Sequence, residues 1–191
     1  MAFQRDIELF NQLKEQNPKV RVGDLGCGRG KLSGAWGFDL RPHDGVDVLC
    51  NLDRFPWPLK DNSLDLLLFN NVIEHMLDIV TTMEEIHRVV KQEGLVVIRT
   101  PHFSHPESFR DPTHRWHLTW ESLDYFQAGN EKLGLYADFS FRVLHKELIF
   151  GSGVKGLVGR LLAKLSVRRY EKYYCHCYPS NGLYFQLQVI K

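Results

Sequence analysis

Val22-Gly23-Asp24-Leu25-Gly26-Cys27-Gly28-Arg29-Gly30 is the stretch that decides the fold. It joins the end of an apolar run, Val20 to Leu25, to a glycine-rich loop. Glycine lets a backbone turn sharply and approach a ligand closely. The next apolar run, Trp36 to Leu40, carries Asp39 near its end. A strand, a glycine loop and an acid closing the following strand are the layout of a nucleotide crevice at the carboxyl ends of parallel strands.

The sequence after this loop predicts a parallel sheet flanked by helices. The further predicted strands are Val46 to Cys50, Leu64 to Phe69 and Leu95 to Arg99. The second of these is nearly all apolar, as a strand covered on both faces must be. Apolar residues recur at helical spacing from Ile79 to Val90, and Gly94 is placed to end that helix. We therefore predict an α/β fold: a Rossmann-like, mostly parallel sheet with helices on both faces.

The flanking segments complete this prediction. An amphipathic first helix carries its apolar residues at Phe3, Ile7, Phe10 and Leu13. Phe139 to Phe150 and Leu183 to Ile190 alternate as strands do, and the second is expected to be an antiparallel last strand. Only Lys31 to Phe38 separate Gly30 from Asp39, whereas a parallel crossover normally needs roughly a dozen residues. We expect a shortened first crossover helix, and one domain over residues 1–191.

The acid that precedes the glycines bears on the choice of ligand. A dinucleotide loop of the form G-x-G-x-x-G would place its third glycine at position 31, which is Lys31. Asp24 stands just before the loop, where a carboxylate would repel a pyrophosphate but could face an ammonium group. S-adenosylmethionine has an ammonium group and no phosphate. The residues therefore favour S-adenosylmethionine as the cofactor.

Four segments in sequence order carry a family resemblance. Asp24 to Gly30 resembles the first motif of class I S-adenosylmethionine-dependent methyltransferases, and Asp61-Asn-Ser-Leu-Asp65 is similar to the segment before their fourth strand. Asn70-Asn-Val-Ile-Glu-His75 and Glu85 to Gly94 are similar to the segments after that strand and before the fifth. The match is closest to the methyltransferase-11-like group, in particular to compact members associated with glycan and cell-surface biosynthesis, which share the stretch Asp111 to Arg115.

The resemblance implies a set of cofactor contacts. The residues that it assigns to S-adenosylmethionine are Asp24, Gly26, Cys27, Gly28, Gly30, Asp39, Leu40, Asn51, Leu52 and Asn70. The glycines would line the methionine part, Asp39 would hold the ribose hydroxyls, and Asn70 would lie under the methionine moiety. Asn51 departs from the family, which often has Asp there, although an amide oxygen still accepts a hydrogen bond.

Titratable side chains cluster after the fifth predicted strand, where the molecule that accepts the methyl group would bind. The candidates for catalysis are His102, His105, Asp111 and His114, with His114 and His102 placed first. A base helps methyl transfer when the acceptor is a hydroxyl. The predicted activity is therefore transfer of a methyl group to a small-molecule or glycan acceptor, most simply at oxygen. A hydrogen-bonded loop scaffold is the alternative role for each histidine.

Two alternative functions remain open. Glu74, His75 and His114 are similar to the metal ligands of the small-RNA 2′-O-methyltransferase family, although that family has Glu where this chain has Asn71. Losing a carboxylate weakens a hard-cation site, so we predict no metal and retain these residues as an alternative site. The shortened crossover and Asn51 leave room for a non-catalytic methyltransferase-like subunit that supports a partner.

Composition limits the partners. The net charge of +1 gives no overall attraction to nucleic acid. Met1 to Leu13 does not resemble a secretory signal, and we expect a cytoplasmic protein. The segment from Val154 to Tyr173 combines an apolar stripe with several cations, so it predicts either a lid or core-packing helix or a peripheral contact with anionic lipid. The pattern leaves the oligomeric state undetermined.

Overall fold

The structure is a computed structural model that describes residues 2–130 and 138–191. Its helices are α1 (Ala2–Gln16), α2 (Ile79–Val89), α3 (Glu107–Arg110), α4 (Val154–Leu165) and α5 (Val167–Tyr173). Its strands are β1 (Val22–Leu25), β2 (Trp36–Asp39), β3 (Val48–Leu49), β4 (Leu64–Asn70), β5 (Val90–Thr100), β6 (Ser140–Ile149) and β7 (Gly182–Ile190). Short 3-10 helices span Ile73–His75 and Ser122–Phe126. The side chain of Phe3, predicted to lie on the apolar stripe of α1, is outside the described residues.

The strands form one sheet in the order β3-β2-β1-β4-β5-β7-β6. Neighbouring strands from β3 to β5 pair in parallel, whereas β7 runs antiparallel to both β5 and β6. This confirms the predicted Rossmann-like sheet with an antiparallel last strand. The carboxyl ends of β1, β2, β4 and β5 therefore meet at one edge, and predicted cofactor residues such as Asp39 and Asn70 lie there.

Two apolar clusters cover the two faces of the sheet. In β4, Leu66 and Leu68 pack with Phe10 of α1, whereas Leu67 and Phe69 pack with Met83 of α2. The alternation follows from the two-residue period of a strand, which points successive side chains to opposite faces. Helices therefore lie on both faces, as predicted.

The first crossover contains turns in place of a helix. In the described chain, residues 26–35 between β1 and β2 include no helical segment, and neither do residues 40–47 after β2. Phe10 of α1 packs in one cluster with Leu32 and Ala35 of this crossover. The N-terminal helix thus covers the face that a longer crossover helix would cover.

The boundary between α2 and β5 differs from the prediction. The helix ends at Val89, because Val90 has extended backbone angles (φ −84°, ψ 140°) and pairs with Leu64 in the sheet. Gly94, predicted to end the helix, lies inside β5. An irregularity in the pairing with β4 absorbs the extra residues there, and Glu93 takes a positive φ of 61°.

Helix α4 is also oriented differently from one prediction. Its buried residues are the small ones, Gly156, Gly159 and Ala163. The large apolar residues Leu157 and Leu165 are 52% and 84% exposed, whereas Leu162 packs partly buried against the core, so part of the predicted apolar stripe faces inward and part faces solvent. Among the residues described, the helices all lack the combination of length and apolar character that a bilayer crossing requires.

Candidate cofactor and acceptor sites

The glycine loop after β1 is tied to the neighbouring strand. The backbone N–H groups of Gly26 and Cys27 both donate to the carbonyl of Phe38 in β2, at 2.7 and 3.2 Å. Gly26 and Gly28 have positive φ angles of 71° and 51°, which glycine adopts without the strain that a side chain causes. A Cβ atom built on Gly28 would meet no other atom within 4 Å. The loop therefore forms a turn with open space above Gly28.

Asp39 closes this turn from the end of β2. One carboxylate oxygen accepts a hydrogen bond from the Gly28 N–H at 2.8 Å, and the other accepts from the Arg41 N–H at 3.0 Å. A carboxylate has about four acceptor positions, so free lone pairs remain for two hydroxyl donors. Ribose binding by Asp39 needs such free lone pairs, and it stays a prediction.

Asp24 lies beneath the loop and is buried. Its carboxylate accepts a hydrogen bond from the Leu32 N–H at 2.8 Å, which fixes the far end of the crossover. Burial raises the pKa of Asp24 to about 6, and the nearby charge of Asp6 adds to this. Burial also raises the pKa of Cys27 to about 11, so that thiol stays protonated at neutral pH. A cationic ammonium group near Asp24 would offset its desolvation.

The segment after β3 supplies the remaining predicted contacts of the adenosine part. The Cys50 N–H donates to the carbonyl of Asp39 at 2.8 Å, which places Asn51 and Leu52 beside the end of β2. The Asn51 side-chain oxygen accepts from the Asp53 N–H at 3.0 Å and retains a second lone pair. Leu40 is 63% exposed at the same edge, as an adenine-contacting residue would be before the cofactor binds.

Asn70 ends β4 and joins the cofactor edge to α1. Its amide nitrogen donates to Asp6 at 3.2 Å, and Asp6 also forms an ion pair with Arg99 at 2.7 Å. Both members of this pair are almost fully buried. The Asn70 side-chain oxygen is buried without a hydrogen-bond partner in the described part of the chain.

A cavity of about 530 Å³ opens beside Asn70 at the carboxyl edge of the sheet. Its lining includes Glu74, His75, Thr100, Asp111 and His114. Three of the lining residues hold buried oxygen atoms that lack a partner among the described residues, namely Asn70, Glu74 and Thr100. Buried polar atoms are rarely left unpaired in native proteins, so these oxygen atoms are available to pair with water or with the polar groups of a bound ligand.

Glu74 is the most unusual of these groups. Its side chain is buried at 1% exposure, and within the described structure neither carboxylate oxygen is in hydrogen-bonding geometry with a partner. Burial raises the pKa of Glu74 to about 7, although its own backbone N–H, a weak contact with the Thr100 hydroxyl and the nearby His114 lower it to some extent. Such a carboxyl can change its protonation state near neutral pH, as catalytic and ligand-binding carboxyls do.

Two histidines lie beside Glu74, and hydrogen bonds define their tautomers. The Thr113 hydroxyl donates to Asp111 at 2.7 Å, so its oxygen must accept from Nδ1 of His75 at 2.9 Å. Nδ1 of His114 lies 3.2 Å from the carbonyl oxygen of Ser108, which can only accept. Both imidazoles therefore carry the proton on Nδ1 and present the lone pair of Nε2. Burial and the neighbouring His114 lower the pKa of His75, which favours its neutral form.

The chain brings His114 to this position through backbone anchors. The N–H groups of Arg115 and Trp116 donate to the carbonyl of Glu74 at 2.7 and 3.2 Å, and the indole N–H of Trp116 donates to Met76 at 2.8 Å. The rings of His75 and His114 lie 4.6 Å apart at their centroids. One ligand atom from each of Glu74, His75 and His114 lies within 4.8 Å of the others. The alternative metal-binding residues are thus adjacent in the fold.

The other predicted catalytic residues lie in different surroundings. His102 is fully buried, with Nδ1 at the Ser104 hydroxyl and Nε2 at Glu171, 3.1 Å away. Neither His102 nor His105 lines the cavity, whereas His114 and Asp111 do. Hydrogen bonds from Thr113 lower the pKa of Asp111, which keeps that carboxylate ionised. His102 connects the loop to α5, and this contact suits a scaffold role.

Several residues that shape the site carry little or no signal in the sequence. Asp6 lies in α1, far from every motif, and no local pattern distinguishes it from an exposed helical acid. Thr113 was part of the quoted Asp111 to Arg115 stretch, but its role in orienting His75 depends on a contact across the chain. Thr100 and Arg99 end β5, and their position at the sheet edge was the one available signal.

Residues 23–98 match the family model described as "Methyltransferase domain". The matched segment runs from β1 into β5 and contains the glycine loop, Asp39 and Glu74. His114 and Asp111 lie beyond it. No curated protein matches the sequence significantly.

Several solved structures have a similar fold. An S-adenosylmethionine-dependent methyltransferase from Mesorhizobium loti has a TM-score of 0.57 and 16% identity, covering 93% of this chain and 96% of its own. One from Archaeoglobus fulgidus has a TM-score of 0.56 and 18% identity, covering 95% and 93%. A chain from the Haloferax volcanii complex that contains the Trm112 methyltransferase activator has a TM-score of 0.58 and 15% identity, covering 90% and 82%. At these identities the likeness establishes the fold.

Proposed function

We propose that this chain, which carries a class I S-adenosylmethionine-dependent methyltransferase domain at residues 23–98, methylates an oxygen atom of a small-molecule or glycan acceptor. The family match and the shared fold support S-adenosylmethionine as the cofactor. The acceptor and the methylated atom are our inference. The observation that supports the choice of acceptor and atom is the cavity beside Asn70, whose buried oxygen atoms can pair with the polar groups of a ligand.

The residues of the cavity suit removal of a hydroxyl proton. S-adenosylmethionine, held by residues such as Asp39 and Asn70, would supply a methyl group on a positively charged sulfur, which would leave with the bonding electron pair when the acceptor oxygen takes the methyl group. The hydroxyl proton passes to Nε2 of His114, whose lone pair is free because Nδ1 faces Ser108. The adjacent Glu74 carboxylate stabilises the imidazolium that forms. The cavity volume of about 530 Å³ is typical of a site for one small molecule or sugar.

The cofactor edge contributes mainly by alignment. In this proposal Asp39 and Asn51 hold the adenosine part, which the hydrogen bond between Asp39 and the glycine loop supports, and Asn70 lines the cavity. Transfer from a sulfonium needs an in-line approach, and such alignment is worth roughly 7–11 kcal/mol in favourable cases.

The experiment uses S-adenosylmethionine labelled in its methyl group. The chain is incubated with separate pools of monosaccharides, catechols and oligosaccharides, and label in each product is counted. We expect transfer to one pool, loss of at least tenfold in His114→Ala, and unchanged cofactor affinity by calorimetry. His145→Ala is the matched control, because His145 is exposed on β6 and does not line the cavity. Cofactor binding without transfer to any pool would favour the non-catalytic subunit.

A second candidate function is favoured by the Glu74, His75 and His114 cluster. Two imidazoles and one carboxylate form a donor set that suits Zn²⁺ or Fe²⁺. The Thr113 and Ser108 contacts orient both imidazoles, as supporting hydrogen bonds do around bound metals. A divalent ion here could bind vicinal hydroxyls, so metal-assisted transfer to a ribose hydroxyl of RNA is the alternative reaction.

Co²⁺ absorption spectroscopy tests this alternative. We expect wild-type protein to bind Co²⁺, and Glu74→Gln or His75→Ala to weaken binding roughly tenfold or more, since each removes a ligand. Zn²⁺ should displace the bound Co²⁺. Labelled transfer to a short RNA that depends on the added ion would establish the RNA reaction. Equal Co²⁺ binding by wild type and both variants would exclude the cluster as the site.

A further inference from the structure

Helix α4 turns its large apolar side chains toward solvent. Val154, Leu157, Leu161 and Leu165 are 79%, 52%, 55% and 84% exposed. Their spacing of three and four residues places them on one side of a helix with 3.6 residues per turn. We call these four residues the outer face of α4. Single exposed apolar residues are common, but an aligned row of this length indicates a surface that something covers.

Close packing on the opposite side holds this orientation in place. A Cβ atom on Gly156 would lie 2.1 Å from the carbonyl oxygen of Gly151, and one on Gly159 would lie 2.7 Å from the Phe150 ring. No larger side chain fits between α4 and the chain beneath it at these positions. The helix therefore cannot rotate its leucines inward without losing this contact, and the outer face stays in solvent.

The charges around the outer face have one sign. From Val154 to Tyr173 the exposed cations are Lys155, Arg160, Lys164, Arg168, Arg169 and Lys172. The one acid of this segment is Glu171, whose carboxylate points inward to the Trp120 N–H at 2.7 Å and to His102. Arg168 forms an exposed ion pair with Glu121. On α4 itself, helical spacing places Arg160 and Lys164 along one side of the apolar row, and Arg160 also lines a pocket that contains Arg5 and Glu147. This local basicity contrasts with the net charge of +1 for the whole chain.

We propose that α4 docks on an anionic lipid surface. The outer face would enter the boundary between headgroups and acyl chains, and the flanking cations would contact lipid phosphates. A basic rim is complementary to an anionic membrane, whereas a second copy of the same face would oppose like charges. An exposed apolar face on a segment with an excess of exposed cations thus favours the anionic lipid surface.

Docking would also place the candidate acceptor cavity near the lipid. Ile149 lines that cavity and ends β6, and α4 begins shortly after it at Val154. A lipid-linked acceptor, such as a glycan on a lipid carrier, is then the substrate class that fits. This last point rests on the proposed function, whereas the docking itself does not.

Vesicle flotation tests the docking without cofactor or acceptor, so a failed methyl-transfer assay cannot affect the result. Vesicles of phosphatidylcholine are compared with vesicles that also contain phosphatidylglycerol. We expect wild-type protein to float with the anionic vesicles and to release at high salt. The double variant Leu157→Ser, Leu161→Ser should bind the anionic vesicles at least roughly tenfold more weakly, because it loses two apolar side chains that would insert into the lipid. Arg160→Gln with Lys164→Gln should show a similar loss.

Leu144→Ser is the matched control, because Leu144 is 45% exposed on β6, outside α4, and its replacement should leave flotation unchanged. Circular dichroism checks that each variant is folded. The proposal is overturned if wild-type protein fails to float, or if the α4 variants float equally well. It is also overturned if wild-type protein is a dimer without lipid and the leucine variant is a monomer, since a second copy would then cover the outer face.

Discussion

The carboxylate of Asp39, at the end of β2, accepts a hydrogen bond from the backbone N–H of Gly28 at 2.8 Å. One side chain thus both fixes the glycine loop and faces the position predicted for the ribose. The crossover between the two residues lacks a helix, so this hydrogen bond helps to fix a loop that a crossover helix would otherwise stabilise.

Asp39→Ala should weaken S-adenosylmethionine binding roughly tenfold or more, since it removes charge-assisted hydrogen bonds. Titration calorimetry measures the change. Asp39→Asn is the informative comparison, because its amide oxygen can still accept from Gly28 while the negative charge is lost. An Asn variant that binds as weakly as the Ala variant would assign the effect to the ribose contact. Wild-type affinity in both variants would contradict the assignment of Asp39.

Gly26→Ala and Gly28→Ala should differ in their effects. Both glycines have positive φ, but a Cβ on Gly26 would lie 2.3 Å from Val72, whereas one on Gly28 would meet nothing within 4 Å. We expect Gly26→Ala to lower the free energy of unfolding by roughly 2 kcal/mol or more, and Gly28→Ala by about 1 kcal/mol. Urea denaturation measures both. Gly28→Ala should still weaken cofactor binding, because the methyl group of the alanine occupies the open space above the loop. Equal losses of unfolding free energy in the two variants would show that the contact between Gly26 and Val72 does not affect stability.

Glu74 should make the stability of the ligand-free protein fall as the pH rises. Its pKa is about 7 in the folded protein against 4.5 for an ordinary glutamate, so between these values the folded state holds the proton more tightly than the unfolded state. The stabilisation is present below pH 4.5 and is lost as the pH rises through about 7. At about 1.4 kcal/mol for each pH unit, the full effect is roughly 3 kcal/mol.

Glu74→Gln isolates this contribution, since glutamine resembles the protonated acid. Its free energy of unfolding should exceed that of the wild type at pH 8, and the advantage should shrink toward pH 5. Asp24 has a raised pKa of about 6, but it is present in both proteins and cancels in the comparison. A difference that does not change with pH would mean that Glu74 is already ionised in the folded protein.

Asp6→Ala should destabilise the fold and weaken cofactor binding together. The substitution removes the buried ion pair with Arg99 and the hydrogen bond from Asn70. Breaking a buried pair in this way costs roughly 3 kcal/mol or more. Thermal unfolding and calorimetry measure the two effects. Glu8→Ala on the same helix is the control, because Glu8 is exposed and its loss should change neither quantity.

Much of the fold could be predicted from local patterns. The glycine loop, the acid ending β2 and the apolar run of β4 were recognisable because each depends on residues close together in the sequence. The boundary between α2 and β5 could not be recognised in this way, because the pairing of Val90 with Leu64 in β4 decides where the helix ends. The orientation of α4 was also beyond the sequence. An apolar stripe shows which face of a helix carries the large apolar side chains. In α4, however, Gly156 and Gly159 lie on a different face, and the rest of the chain packs against that face.

The sequence by itself determined the α/β sheet, the cofactor loop and the identity of the residues at the carboxyl edge. Only the tertiary structure decided that His114 lies beside Glu74, that His102 is held by Glu171, and that α4 presents leucines to solvent. The physical reason is the range of the interactions. Periodicity and glycine content act over a few residues, whereas the cavity is assembled by backbone hydrogen bonds between segments that are distant in the chain.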